Sequence, residues 1–248
     1  QTDEGGYNHG MIVKDNVVYI SYEANSTNAP QLQCYDAQTG ESLESMTIDY
    51  GHFSQPSGAL CDLNIDDFGN IYTTNRGYIK TGSTVNLYVD VLELNKETST
   101  AKVSKRFTCI LPTQSVVGMS QQVFYAKVAG NVSTGEFSLY SVLNGYLNNT
   151  PFYGVYKWIF SNNISSCEGS DVAKIITSTT VPKTRIHIID AENDYYIIDN
   201  NLIHPTIYKG GTSKKDLSKE STFDVSTDYT GNGICVFKHG DVPMMLYG

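Results

Sequence analysis

The sequence reads NVVY at residues 16–19, NIY at residues 70–72 and QVFY at residues 122–125. In each copy a polar residue is followed by apolar residues that end on a tyrosine, and Tyr19, Tyr72 and Tyr125 are 53 residues apart. A period of this length is typical of repeat proteins built from four-stranded meanders, because each meander buries its faces only against its neighbours. The repeat therefore predicts an array of similar β-units.

The rest of the chain also has the pattern of β-strands. Apolar residues alternate with polar ones or form short runs bounded by Gly, Asn, Asp and Pro, and helical periodicity is nearly absent. Four strands fit into each of the segments 10–48, 59–110 and 116–160, and further hairpins are predicted at 186–199 and 223–237. The fold is predicted to be all-β, with about five units in the chain.

We expect a single β-propeller domain over residues 1–248, with about five four-stranded blades, because radial packing buries both faces of each small sheet. The last blade looks incomplete, since no outer strand is evident at 243–248. Either residues 1–7 form an N-terminal tail or strand that closes this blade, or the sequence belongs to a longer chain. The competing architectures are a large β-sandwich, which gives no reason for a 53-residue period, and a β-helix, which repeats at shorter intervals.

Composition bounds the class of protein. Hydrophobic residues make up 40% and charged residues 17%, which is enough for a sizeable core. The net charge is −9, and no basic run is longer than Lys214-Lys215, so nucleic acids and anionic membrane surfaces are disfavoured as partners. No apolar stretch approaches the roughly 20 residues of a membrane-spanning helix. The five cysteines lack metal-ligand spacing, and we expect most of them to be buried apolar residues, with one disulfide left open as an alternative.

Three segments resemble a known family: residues 58–72 (GALCDLNIDDFGNIY), 35–41 (YDAQTGE) and 230–237 (TGNGICVF). They are similar to the exported β-propeller domains of unknown function in surface lipoproteins of Bacteroidota. The resemblance implies export to the periplasm or the cell surface. It implies no catalytic residues.

One acidic segment is a candidate metal site. Asp62, Asn64 and Asp66 alternate along a predicted strand and therefore share one face, as the first ligands of a calcium loop do. However, Asp67 occupies the sixth position, where such a loop needs glycine, and Thr73 occupies the twelfth, where it needs glutamate. The alternative is a hairpin turn in which these side chains cap backbone amides. No other cofactor is expected.

A second acidic group comprises Asp190, Glu192 and Asp194, close to His187. Two carboxylates across a cleft, with a histidine, would suit a glycan hydrolase or lyase at the central channel of a propeller. The simpler interpretation is an acidic turn and a structural histidine. The sequence contains no G-x-S-x-G nucleophile motif and no nucleotide-binding glycine motif.

Aromatic residues are the remaining candidates. Exposed rings in long connecting segments could stack on sugars or anchor a protein partner, whereas buried rings would only fill the interior. The rings in or near the longer segments are those of Tyr50, His52, Phe53, Tyr78, Tyr146, Phe152, Tyr153 and Trp158. From these and the histidines, the candidate ligand-binding residues are Tyr50, His52, Tyr78, Tyr153, Trp158 and His187.

Three functions follow from these patterns. The first is a non-catalytic, exported binding or scaffold module that presents loops to a glycan or an envelope protein. The second is the glycan-active hydrolase or lyase, and the third is a calcium-stabilised structural domain. The first is favoured because catalytic motifs are not evident in the sequence.

Overall fold

The computed structural model describes residues 10–23, 29–80, 83–111, 119–147, 150–161, 164–169, 174–175, 185–191, 195–200, 203–210, 217–222, 234–239 and 242–247. Within these ranges the chain forms 21 β-strands, so the all-β prediction is confirmed. The described residues include no helix that is long and apolar enough to cross a membrane. The strands are β1 (Met11–Lys14), β2 (Val17–Tyr22), β3 (Gln31–Asp36), β4 (Ser42–Asp49), β5 (Asp62–Ile65), β6 (Ile71–Thr74), β7 (Gly77–Lys80), β8 (Ser83–Val85), β9 (Leu87–Asn95), β10 (Thr100–Cys109), β11 (Met119–Asn131), β12 (Glu136–Leu147), β13 (Thr150–Ser161), β14 (Ile164–Gly169), β15 (Lys174–Ile175), β16 (Arg185–Asp190), β17 (Tyr195–Asn200), β18 (Ile203–Gly210), β19 (Leu217–Thr222), β20 (Ile234–His239) and β21 (Val242–Tyr247).

The first two predicted units merge into one sheet. Its eight strands follow the order β1-β2-β3-β4-β10-β9-β6-β5. All neighbours are antiparallel except β4 and β10, which pair in parallel over Thr47–Asp49 and Thr100–Lys102. The two edge strands approach each other closely, since a methyl group on Gly10, just before β1, would collide with the backbone of Leu63 in β5. The sheet is therefore nearly closed and barrel-like.

The propeller prediction is wrong. Blades would keep each four-stranded meander as a separate sheet, whereas here the parallel β4–β10 pairing joins two meanders edge to edge. The repeated tyrosines are not equivalent either: Tyr19 belongs to the core inside the first sheet, while Tyr72 packs into the core on its outer face. A 53-residue period records the length of a meander, but the edges that pair decide how meanders assemble.

The third predicted unit forms a second sheet with segments from the second. Its main path is β14-β13-β12-β11-β7-β8, and β15 adds to β13. Smaller sheets follow, with β16 to β19 in chain order and β20 paired with β21. No outer strand was expected at 243–248, and this expectation is wrong. The strand Val242–Tyr247 pairs with β20, and Pro243 lies opposite Lys238. The predicted tail at 1–7 and strand at 223–226 lie outside the described residues.

Among the residues that the structure describes, three apolar cores lie within and between the sheets. One fills the nearly closed sheet and includes Tyr19, Leu32 and Leu63. The second lies between the two large sheets and contains Trp158 and the mutually contacting rings of Phe107, Phe137 and Phe160. The third joins β12 and β13 to β16. Strand alternation explains how β9 serves two cores, because Leu92 points inward and Val91 points outward.

The cysteines that the structure describes with their side chains are buried, as expected. They are Cys34, Cys61 and Cys109. Burial raises the pKa of the Cys61 thiol to about 12, with smaller contributions from nearby Glu23 and Asp62. This thiol is therefore protonated near neutral pH and is a poor nucleophile.

Candidate functional site

Four hairpin turns meet at one end of the nearly closed sheet and enclose a cleft of about 590 Å³, here called the turn-end cleft. The turns connect β1 to β2, β5 to β6, β9 to β10 and β11 to β12. Asp15 and Asn16 form the first turn with φ angles of 50° and 62°, as the polar turn residues of the sequence predict. Buried Tyr19 and Leu92 line the cleft beneath the turns.

The turn-end cleft is rich in lysine although the protein is acidic. Lys14, Lys96 and Lys105 line it, together with only two carboxylates, those of Asp15 and Glu93. Lys14 Nζ donates to the carbonyl of Gly69 at 2.7 Å, and Lys105 Nζ donates to the carbonyl of Ser133. The first bond ties the end of β1 to the turn between β5 and β6, and the second ties β10 to the turn between β11 and β12. Each ammonium group keeps further protons for a ligand.

An exposed aromatic residue is the chain neighbour of two residues that line the cleft. Phe68 is 67% exposed and directly precedes Gly69 and Asn70, which line the cleft. Its backbone amide donates to Asp66 Oδ1 at 2.9 Å, which holds this turn in place. Phe68 was not among the residues predicted from the sequence, although a large apolar residue within the polar turn DFGN was a detectable signal.

The polar face of β5 lies against β11 and not in solvent. Asp66 Oδ1 accepts the backbone amides of Phe68 and Asn70, and its Oδ2 accepts the buried amide of Val132 at 3.0 Å. Asn70 Nδ2 donates to the same carboxylate. These contacts confirm the amide-capping interpretation of this turn.

Asp62 and Asn64 share that face with Lys127 of β11, and the three residues are here called the Lys127 cluster. Lys127 Nζ donates to Asn64 Oδ1 and lies 3.9 Å from Asp62 Oδ2. Among the described residues, no group of three or more His, Cys, Asp or Glu side chains could hold a metal ion. A calcium site at Asp62, Asn64 and Asp66 stays a prediction, and an ion there would have to displace the lysine.

Tyr50 and Phe53 pack around a buried ion pair, here called the Arg106 cluster. The guanidinium of Arg106 lies 5.8 Å from the ring centre of Tyr50, 5.1 Å from that of Phe53 and 4.8 Å from that of Tyr88. Its Nε and Nη2 donate to the two carboxylate oxygens of Asp90 at 2.6 and 2.7 Å. Burial raises the pKa of Tyr50, and the charge of Asp90 raises it further. The rings of Tyr50 and Phe53 therefore pack on the cation of this pair.

The other predicted residues are dispersed. His52 is exposed and packs its ring 4.0 Å from that of Phe53, and Tyr78 is half-buried on β7. Trp158 is fully buried and donates its indole N–H to the carbonyl of Ile110, so its ring fills the core. His187 is buried on β16.

The side chains of several predicted groups lie outside the described part of the chain. The backbone of Tyr153 pairs with Asn144 in β12, and that of Asp190 pairs with Tyr195 in β17, but neither side chain is described. Glu192 and Asp194 lie outside the described residues. The proposed pairing of these carboxylates with His187 therefore stays a prediction.

Similarity to known proteins assigns no function to the turn-end cleft or to the two clusters. No protein-family model matches the chain, and no curated protein matches it. The resemblance of residues 58–72 to exported propeller domains stays a prediction about export, while the propeller fold that it implies is wrong. What the protein binds has to be inferred from the chemistry of its own side chains.

Proposed function

We propose that the protein is an exported, non-catalytic binding module that recognises a glycan through the turn-end cleft. The observation that carries this proposal is the cleft itself, a preformed concavity of about 590 Å³ between four hairpin turns. Ligand sites in proteins typically have volumes of about 300–1,000 Å³ and combine apolar walls with a few polar groups. The turn-end cleft fits this description.

The lining suits a polar, acidic saccharide. Carboxylates of Asp15 and Glu93 can accept hydrogen bonds from sugar hydroxyls, while the ammonium groups of Lys14, Lys96 and Lys105 can donate. Three lysines against two carboxylates leave a positive balance, in contrast to the net charge of −9 for the chain. Carboxylated or sulfated sugars would therefore be attracted locally although the remaining surface repels them.

Phe68 supplies an apolar surface at the edge of the cleft. The Phe68 ring is 67% exposed, so it lowers solubility and adds little to a core. Its position next to cleft-lining residues therefore supports a binding role. The flat ring can cover the C–H face of a sugar while the lysines contact its acidic groups. Loop positions held by a rigid sheet are common places for such contacts.

The test is binding of the purified chain to an array of neutral and acidic glycans, followed by titration of the best ligand. Phe68→Ala should weaken its affinity about tenfold, since losing one anchor ring costs on the order of 1.4 kcal/mol. The matched control is Ile110→Ala, because Ile110 is 64% exposed but does not line the cleft. Its affinity should equal that of the wild type.

The charge contribution is tested with Lys96→Glu against Lys102→Glu, two exposed lysines of which only the first lines the cleft. The affinity of Lys96→Glu for acidic glycans should fall about tenfold, and that of Lys102→Glu should change far less. Blank arrays would overturn the proposal. Release of shorter saccharides during the incubation would instead show an enzyme.

A further inference from the structure

One buried atom has no ordinary explanation in the packing of the two large sheets. The side chain of Asp62 is only 5% exposed, and its Oδ1 accepts the amide of Leu63. Its Oδ2 is buried and has no hydrogen-bond partner in the part of the chain that the structure describes. A buried carboxylate oxygen without a hydrogen-bond partner lowers the stability of the folded state. Its presence in a native fold therefore needs an explanation.

The neighbours of this oxygen are an amine and an amide. Lys127 Nζ lies 3.9 Å from Asp62 Oδ2 and contacts Asn64 Oδ1. Asn64 is buried, and its Nδ2 points to the carbonyl of Ala126 at 3.4 Å, so that its carbonyl faces the lysine. The side chain of Lys127 is 30% exposed, so most of it is shielded from water. An amine, an amide carbonyl and a carboxylate thus meet at one point.

We propose that Lys127 and Asn64 become joined by an isopeptide bond in the folded protein, with Asp62 as the group that transfers the proton. The carboxylate of Asp62 takes a proton from the Lys127 ammonium, which leaves a neutral amine. The Nζ lone pair attacks Asn64 Cγ, and a C–N bond forms. The proton held by Asp62 then passes to the side-chain nitrogen of Asn64, and the Cγ–Nδ2 bond breaks to release ammonia. Nζ still carries two protons and passes one of them to this ammonia, which leaves as ammonium, so that the isopeptide nitrogen keeps one proton and Asp62 is again a carboxylate. Nothing is oxidised or reduced.

The fold supplies what this reaction lacks in solution. An amine and an amide react very slowly in water, but groups held in contact gain large effective concentrations. The sheet that carries Asn64 is also held against β11 through β6, the neighbour of β5, since the Val128 amide donates to the Tyr72 hydroxyl at 3.0 Å. Asn64 and Lys127 both lie on strands rather than on loops. The approach of Lys127 Nζ to Asn64 Cγ is therefore confined to a narrow range of positions.

The bond would join two different sheets. Asn64 belongs to the nearly closed sheet and Lys127 to the second sheet, and the two residues are 63 positions apart in the chain. A covalent link across such a long loop restricts the unfolded chain much as a disulfide does. Unlike a disulfide, it survives reducing agents.

The decisive measurement is mass spectrometry of the unfolded, protease-digested wild-type chain. The expected product is a branched peptide that links Lys127 to Asn64 and is lighter by one ammonia than its two parts. Intact mass alone is insufficient, because it does not show which residues have lost ammonia. If the digest contains residues 64 and 127 only in separate linear peptides, the proposal is overturned and Lys127 is a plain counter-ion.

Variants extend the test. Lys127→Arg keeps the positive charge but should abolish the branched peptide, and Asp62→Asn should abolish or strongly slow it in protein whose circular dichroism is native. Lys105→Arg is the matched control, because Lys105 also donates to a carbonyl oxygen and should leave the branched peptide intact. Full formation of the branched peptide in folded Asp62→Asn would overturn the role of Asp62.

Discussion

The Arg106 cluster and the Lys127 cluster both place a cation beside a buried aspartate. Only the Arg106 cluster is closed, in the sense that the cation donates to both carboxylate oxygens. Arg106 meets both oxygens of Asp90 at 2.6 and 2.7 Å and donates a third bond to the carbonyl of Ser54 at 2.8 Å. Lys127 lies 3.9 Å from Asp62 and contacts Asn64 instead. The difference separates a structural ion pair from an arrangement of groups that can react.

The chemistry of the two cations explains this difference. A guanidinium is a planar fork that matches a carboxylate and stacks on aromatic rings, whereas an ammonium is a point charge on a flexible stem. Burial lowers the pKa of Arg106, but the hydrogen bonds and charge of Asp90 outweigh it and raise the pKa overall. Arg106 therefore stays charged, and its pair with Asp90 has no chemistry to perform.

The largest effect is expected from breaking the closed pair. Arg106→Ala should lower the free energy of unfolding by about 3–5 kcal/mol, because it leaves Asp90 buried and charged without a partner. Chemical denaturation measures this loss. The double variant Arg106→Ala/Asp90→Ala should recover part of it, and a double variant less stable than Arg106→Ala would contradict the ion-pair explanation.

A third carboxylate sharpens the comparison, because Asp66 shares a strand face with the open cluster yet is fully hydrogen-bonded. Asp66→Ala should cost about 2–3 kcal/mol, since it leaves the buried amide of Val132 and two turn amides without an acceptor. The control is Asp67→Ala, its exposed neighbour in the same turn, which should be close to neutral. Equal losses for the two variants would show that the capping bonds do not stabilise the fold.

A conservative change tests whether the fork geometry matters in the closed pair. Arg106→Lys keeps the charge but loses one of the two bonds to Asp90 and the stacking on Tyr50, Phe53 and Tyr88. The expected loss is about 1–2 kcal/mol in the same denaturation experiment. A lysine variant as stable as the wild type would mean that charge alone holds the Arg106 cluster together.

The smallest effect belongs to Asp36, a solvent-exposed carboxylate that shows what the same bonds do without burial. The backbone amides of Thr39 and Gln38 lower its pKa below the ordinary value. Its contribution to stability is therefore present above the unfolded pKa and is lost as the pH falls through the folded pKa.

NMR titration of the Asp36 carboxyl measures this shift, and its midpoint should lie below that of an unfolded aspartate. The stability difference between the wild type and Asp36→Asn should shrink over the same range of acidic pH. A midpoint at or above the ordinary value would contradict the role of the two amides.

Local structure was predictable because it depends on neighbouring residues. Strands over residues 17–22 and 71–74 match the apolar runs that predicted them, and the turn at Asp66 follows from its DDFGN sequence. The candidate site was less predictable. Tyr50 and Phe53 were found by their aromatic character, but nothing in sequence spacing connects them to Arg106, which lies more than fifty residues away.

By itself, the sequence determined an all-β chain of meanders with its turns, its buried cysteines and the shared face of Asp62, Asn64 and Asp66, since two-residue alternation and turn chemistry are local properties. Only the tertiary structure decided that β4 pairs with β10 and that Lys127 meets Asn64. Hydrogen bonds between strand edges are alike for every pair of strands. The choice of partner therefore depends on how whole faces bury one another, which a repeat period does not encode.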